Sequence, residues 1–131
     1  MSTLVRAFLA SFILITIFSC DSIFRPQLEI KADDIPIYPN AQNVKRDEPK
    51  TNIPEIYVWN FTTSDSPEMV WQFYVNEMSH KWGFYDTSSP KFGDRSLIVN
   101  SCPFYYLDMT STSIDRTTNS ITIKFGKQPC M

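Results

Sequence analysis

Few side chains in this sequence carry chemistry, and they are scattered. His80 is the only histidine, so no second imidazole is present to share a metal or relay a proton. It stands near the end of a helical pattern, where a cationic ring favours the helix dipole. A solvated residue is expected there, not a base. Asp86, Asp94, Asp108 and Asp115 are spread over strands and turns. Glycoside hydrolysis would need two such carboxyls about 5 to 10 Å apart, a distance the linear order does not reveal. Asp33-Asp34 offers oxygen donors, but no further carboxylates follow at the spacing of a cation-binding loop. Serine and threonine are plentiful, yet no Gly-x-Ser-x-Gly elbow is present. Three glycines leave nothing from which to build a phosphate-cradling loop. No catalytic residue, metal ligand or cofactor is assigned on this basis, and a non-enzymatic role is expected.

Aromatic groups are the remaining candidates. Trp59, Trp71, Trp82 and the run Phe104-Tyr105-Tyr106 are numerous enough to form a stacking platform for a glycan or hydrophobic ligand. The competing expectation is that a small domain spends them on its core.

One stretch has a helix start, body and stop, Phe61 to Phe84. Ser66 suits the cap and Pro67 the first turn. Asp65 is an alternative cap, with Glu68 three residues on completing a capping box. Gly83 is placed to close the helix in the left-handed conformation. Trp71, Tyr74, Val75, Met78 and Trp82 recur at helical spacing, with Val70 at the edge. At about 100° per residue, Met69, Phe73 and His80 lie nearly opposite Trp71, Val75 and Trp82. One sheet covers only one such stripe. Either Ile35 to Pro39 drapes over the second stripe and buries it, or Met69 and Phe73 stand exposed as a contact for a partner.

Strands flank this helix. Ala41 to Asp47 reads as a short edge strand centred on Val44, and Glu48 to Pro54 as a charged loop. Ile56 to Thr63 alternates, with Tyr57, Trp59 and Phe61 on one face. Phe84 to Thr87 and Ser96 to Asn100 suggest short strands separated by the turn-rich Ser88 to Asp94. Phe104 to Ser113 and Ser120 to Phe125 are the clearest strands, joined by a turn at Asp115 to Asn119.

Residues 1–19 read as a signal peptide. Ala7 to Phe18 is an unbroken run of apolar and small residues, too short for a comfortable membrane span. It ends at Ile17-Phe18-Ser19-Cys20, which resembles the lipobox of bacterial lipoproteins; Phe18 departs from the small residue usual there. The resemblance implies that Cys20 is the lipidated first residue of the mature chain, facing away from the cytoplasm. It also implies that Asp21 favours the inner membrane of two-membrane bacteria. Residues 20–34 read as a lipid-anchored tether and 35–131 as a single domain.

Cys102 and Cys130 then remain as an even pair in an oxidising compartment. If Ser113 faces Asn119, Met109 faces Ile123 and Leu107 faces Phe125, four apolar side chains on one face. Carried on without a bulge, this register sets Cys102 opposite Cys130, so a disulfide is expected at the hairpin base. The rival is a two-cysteine metal site, which only His80 is available to join.

The segments Ile37-Tyr38-Pro39-Asn40-Ala41-Gln42-Asn43-Val44 and Phe61-Thr62-Thr63-Ser64-Asp65-Ser66-Pro67-Glu68, followed by Val70, Phe73-Tyr74 and Gly83, carry a second likeness. The chain resembles a family of small bacterial lipoproteins with a YPNAQNV…FTTSDSPE…V..FY…G pattern. Gly83-Phe84 stands where Gly-Trp is more usual. The resemblance spans most of the mature chain and also includes Cys102-Pro103 and Cys130. It implies a shared fold and surface address, and no activity.

The chain has 131 residues with a formal net charge of -2, so no cationic excess points to nucleic acid. The expected fold is α+β, one amphipathic helix on an antiparallel sheet of five or six strands in the order β-β-α-β-β-β. The expected role is a membrane-tethered extracytoplasmic domain that binds a protein or glycan. A hydrolase-type enzyme and a structural envelope component are the alternatives.

Overall fold

A computed structural model describes residues 27–47, 55–89 and 95–130. The segment read as a signal peptide, Cys20, the loop expected at Glu48 to Pro54 and Asp94 lie outside the described residues. The architecture is α+β: six antiparallel strands and one long helix. The strands are β1 (Gln42–Asp47), β2 (Ile56–Thr63), β3 (Tyr85–Asp86), β4 (Arg95–Val99), β5 (Phe104–Ser113) and β6 (Asn119–Gln128). They lie side by side in the order β1-β2-β6-β5-β4-β3. The helix, α1, spans Pro67–Trp82 between β2 and β3. Four strands therefore follow the helix, at the four stretches read as strands, where the order β-β-α-β-β-β counts three.

Period-2 alternation builds the sheet. Trp59, Phe61, Leu97, Val99, Tyr105, Leu107, Met109, Ile121, Ile123 and Phe125 all turn to one face and are buried. The long hairpin of β5 and β6 holds the expected register, with Leu107 opposite Phe125, Met109 opposite Ile123 and Ser113 opposite Asn119. Asp115 closes its turn by accepting hydrogen bonds from the backbone N–H groups of Thr117 and Thr118, each 2.8 Å. At the other end Cys102 and Cys130 form a disulfide, with Cα atoms 5.5 Å apart. The sheet thus has a turn end and a disulfide end.

Helix α1 starts at the turn end. Ser66 caps it, its Oγ accepting from the Met69 N–H at 3.3 Å. Gly83 closes it at φ 72°, a conformation that costs a residue without a Cβ little. Val70, Trp71, Tyr74 and Met78 are buried against the sheet, while Val75 and Trp82 are half-buried at the margins. Asp65, the alternative cap, is engaged elsewhere (below).

The stretch expected as the end of a tether is instead part of the domain. Ile30 and Ala32 are buried in the same core as the helix. The Tyr105 hydroxyl accepts from the Ile30 N–H at 3.2 Å and donates to the Leu28 carbonyl at 3.0 Å. The physical reason is the buried phenol. Its hydroxyl needs partners away from water, and the Leu28–Ile30 backbone supplies both. A 3-10 turn follows at Ala32–Asp34. The chain then runs as a strap beside α1 toward the turn end, burying Ile35 and Tyr38.

The opposite sheet face is half-exposed. There Tyr106 stands directly across from Gly126 and lays its ring over the glycine. A Cβ at Gly126 would come within 2.2 Å of the ring's outer end, so Tyr106 would have to swing aside. Strand β1 is exposed throughout and bulged between Gln42 and Lys45, which with Lys45 and Arg46 discourages pairing along its free edge.

Candidate docking groove

The second stripe of the helix meets the strap and forms a groove of about 430 Å3, lined by Tyr38, Pro39, Asn40, Met69, Phe73 and Asn76 among others. The strap covers one side of this stripe and leaves the other open. Tyr38 covers one side of Phe73, its ring edge-on at 5.4 Å between centroids, and leaves Phe73 half-buried. Met69 is 58% exposed. His80 lies exposed further along the helix, its Nδ1 2.8 Å from the Asn76 carbonyl oxygen.

Asp65 fixes the wall of the groove. Its Oδ2 accepts from the Tyr38 hydroxyl at 2.6 Å and from Asn40 Nδ2 at 2.8 Å. The Asn119 amide donates to the Asp65 carbonyl at 3.0 Å, tying this wall to the turn end of the sheet. The Tyr38 and Asn40 bonds hold the Asp65 carboxyl below its ordinary range. Burial, then the neighbouring Asp65, push the Tyr38 phenol up to about 12.

A pH dependence follows with a definite sign. A carboxyl whose folded value is depressed stabilises the fold above its unfolded value, near 3.9, and that stabilisation is lost as the pH falls through the folded value. Asp65→Asn should therefore weaken the protein at neutral pH and lose less than wild type on acidification below about pH 4. Urea midpoints of both proteins at neutral and acid pH measure this. Parallel curves would exclude the role assigned to Asp65.

The other residues with chemical potential are engaged in local hydrogen bonds. Asp86 accepts from the Ser88 N–H and from Trp71 Nε1. Asp108 accepts from Ser96 Oγ, and Asp115 serves its own turn. No hydrogen bond joins any two of these carboxyls. Among the described residues no cluster of three His, Cys, Asp or Glu side chains is placed to hold a metal. Trp59, Trp71 and Tyr105 are core residues, 6%, 3% and 0% exposed, so they form no platform. Trp82 is half-buried beneath Lys81, whose Nζ lies 4.3 Å from its ring centroid.

A second cavity, about 440 Å3, lies at the disulfide end between Glu29–Asp33 and the ends of β2 and β6. Ile30, Tyr57 and Phe125 contribute apolar lining, and Glu29, Lys31, Asp33, Arg46, Glu55 and Lys127 contribute charges that balance in sign. Arg46 is already committed. It pairs with Asp33 and lies over the Tyr57 and Trp59 rings, 5.7 and 5.5 Å from their centroids. Sequence reasoning missed this cavity because it depends on Leu28 to Asp34 folding back. Alternating Ile30 and Ala32, both apolar within a polar run, were the available signal.

No family model, curated protein or solved structure matches the chain. Among the described residues no helix is long and apolar enough to cross a membrane.

Proposed function

We propose that the protein is a lipid-anchored binding domain of a bacterial envelope, held outside the cytoplasm through Cys20, whose groove at Met69 and Phe73 receives an apolar side chain of a protein partner. The observation that carries the docking role is Met69. It is 58% exposed on the rim of a groove whose opposite wall is fixed by the Tyr38–Asp65–Asn40 bonds. A large apolar side chain left in water beside a shaped hollow fits a contact better than a core. Glu68, the carboxylate among the lining residues, is engaged by Arg95 at 3.1 Å. The lipobox-like end of the apolar run at Cys20 and the YPNAQNV…FTTSDSPE likeness support the envelope address.

The anchor and the groove are tested separately. A palmitate analogue should label the wild type and not Cys20→Ser; equal labelling would remove the anchor. For the groove, a photo-crosslinking residue is placed at 69 and, as a control, at Ile114, which is also 58% exposed. A discrete adduct at 69 alone, weakened by Phe73→Ala, is expected. The same adducts at both positions, or none at 69, would remove the docking role. Stability separates contact from core: Met69→Ala should change it by less than about 0.5 kcal/mol, and the half-buried Phe73→Ala should cost about 1 to 2 kcal/mol.

A further inference from the structure

We infer that the disulfide end of the sheet faces the lipid bilayer at close range and that the Met69 groove points away from it. This rests on the reading of Cys20 as the anchor and adds an orientation to it. Among the described residues the clamp nearest Cys20 in sequence is at Leu28, whose carbonyl accepts from the Tyr105 hydroxyl at 3.0 Å. Tyr105 lies at the start of β5, paired with Lys127 near the end of β6. The chain is therefore clamped beside the disulfide, not at the turn end.

The leash between the two is short. Asp21 to Gln27 is seven residues, which span at most about 25 Å. Strand β5 ends at Ser113, eight residues beyond Tyr105, so the turn end stands about 27 Å from the clamp. The strap and α1 carry this polarity to the groove. The strap rises from Leu28 to Tyr38, and Tyr38 bonds Asp65 at 2.6 Å. Asp65 in turn is held by Asn119 at the turn end, 3.0 Å. Clamp and groove thus sit toward opposite ends of the sheet. Charge does not set the orientation, since Glu29 and Glu55 offset Lys31 and Lys127 around the cavity at the clamped end. Covalent reach does.

The test uses the full chain, processed and lipidated by its host, in phosphatidylcholine vesicles containing a headgroup-level nitroxide lipid. A fluorescent amino acid is introduced at exposed Gln128 in one protein and at exposed Ile114 in another. Quenching should be several-fold stronger at 128 than at 114, unchanged by added salt. It should even out when a Gly/Ser segment about three times the length of the native leash is inserted before Gln27. Flotation of the same samples reports the anchor. A wild-type chain that does not float removes both the anchor and the orientation. A chain that floats with equal quenching at both positions, or stronger quenching at 114, removes the orientation alone.

Discussion

Replacing Cys102 and Cys130 together by serine should lower the stability of the domain by about 3 to 4 kcal/mol. The bond closes a loop with a sequence separation of 28, and loop-closure entropy in the unfolded chain gives that magnitude. Either single substitution should cost about as much as the double, because each removes the same constraint. Thiol reduction of the wild type should match them. In a domain of this size the loss corresponds to a fall in Tm of about 15 to 25 °C. Chemical denaturation of oxidised, reduced and doubly substituted protein measures it. A double variant as stable as the oxidised wild type would mean that the hairpin alone holds its base. The chain between the cysteines contains the whole β5–β6 pairing, so the disulfide restrains strands that also hold the Leu28 clamp through Tyr105.

Trp71→Ala should be comparably severe, about 3 to 5 kcal/mol. Trp71 is 3% exposed and belongs to the helix face that covers the sheet. Its indole N–H also donates to Asp86 Oδ2 at 3.2 Å, linking α1 to the short strand β3. Burial alone would raise the Asp86 carboxyl, but bonds from Ser88 and Trp71 and the charge of Arg95 leave it below its ordinary value. Trp71→Phe separates these contributions. It keeps part of the buried ring and loses the bond, which ends on an exposed carboxylate screened by solvent, together with the volume of the indole's second ring. Its cost should be about 1 to 2 kcal/mol. Urea unfolding of the two variants gives the comparison; equal losses would place the energy in the indole hydrogen bond and not in the packed ring.

The helix and the central hairpin were legible because local chemistry and tertiary packing agree there. Ser66, Pro67 and Gly83 each do in the fold what their own conformational preferences dictate. The β5–β6 register follows from period-2 alternation, and the same pairing carries to Cys102 and Cys130. The strap beginning at Leu28 was not legible. Ile30 and Ala32 are flanked by Glu29, Lys31, Asp33 and Asp34, so composition alone reads as solvated chain. What folds that stretch back is a hydroxyl on Tyr105, 75 residues from Ile30 along the chain. The groove was half legible for a related reason. Helical geometry defines a second stripe, but the degree of cover depends on where one ring, Tyr38, comes to rest. Asp65 could cap the helix equally well by its residue type; the Tyr38 hydroxyl and the Asn40 amide are what draw it away.

The Gly126–Tyr106 contact couples the two positions mechanically. A Cβ at 126 would come within 2.2 to 2.4 Å of the outer end of the Tyr106 ring, so a side chain there requires that ring to swing off the sheet. Tyr106 is half-exposed and has solvent to swing into, so the cost of such a change is the packing that the ring gives up. Among descendants of this chain a side chain at 126 should therefore go with a smaller residue at 106 more often than the two positions would combine by chance.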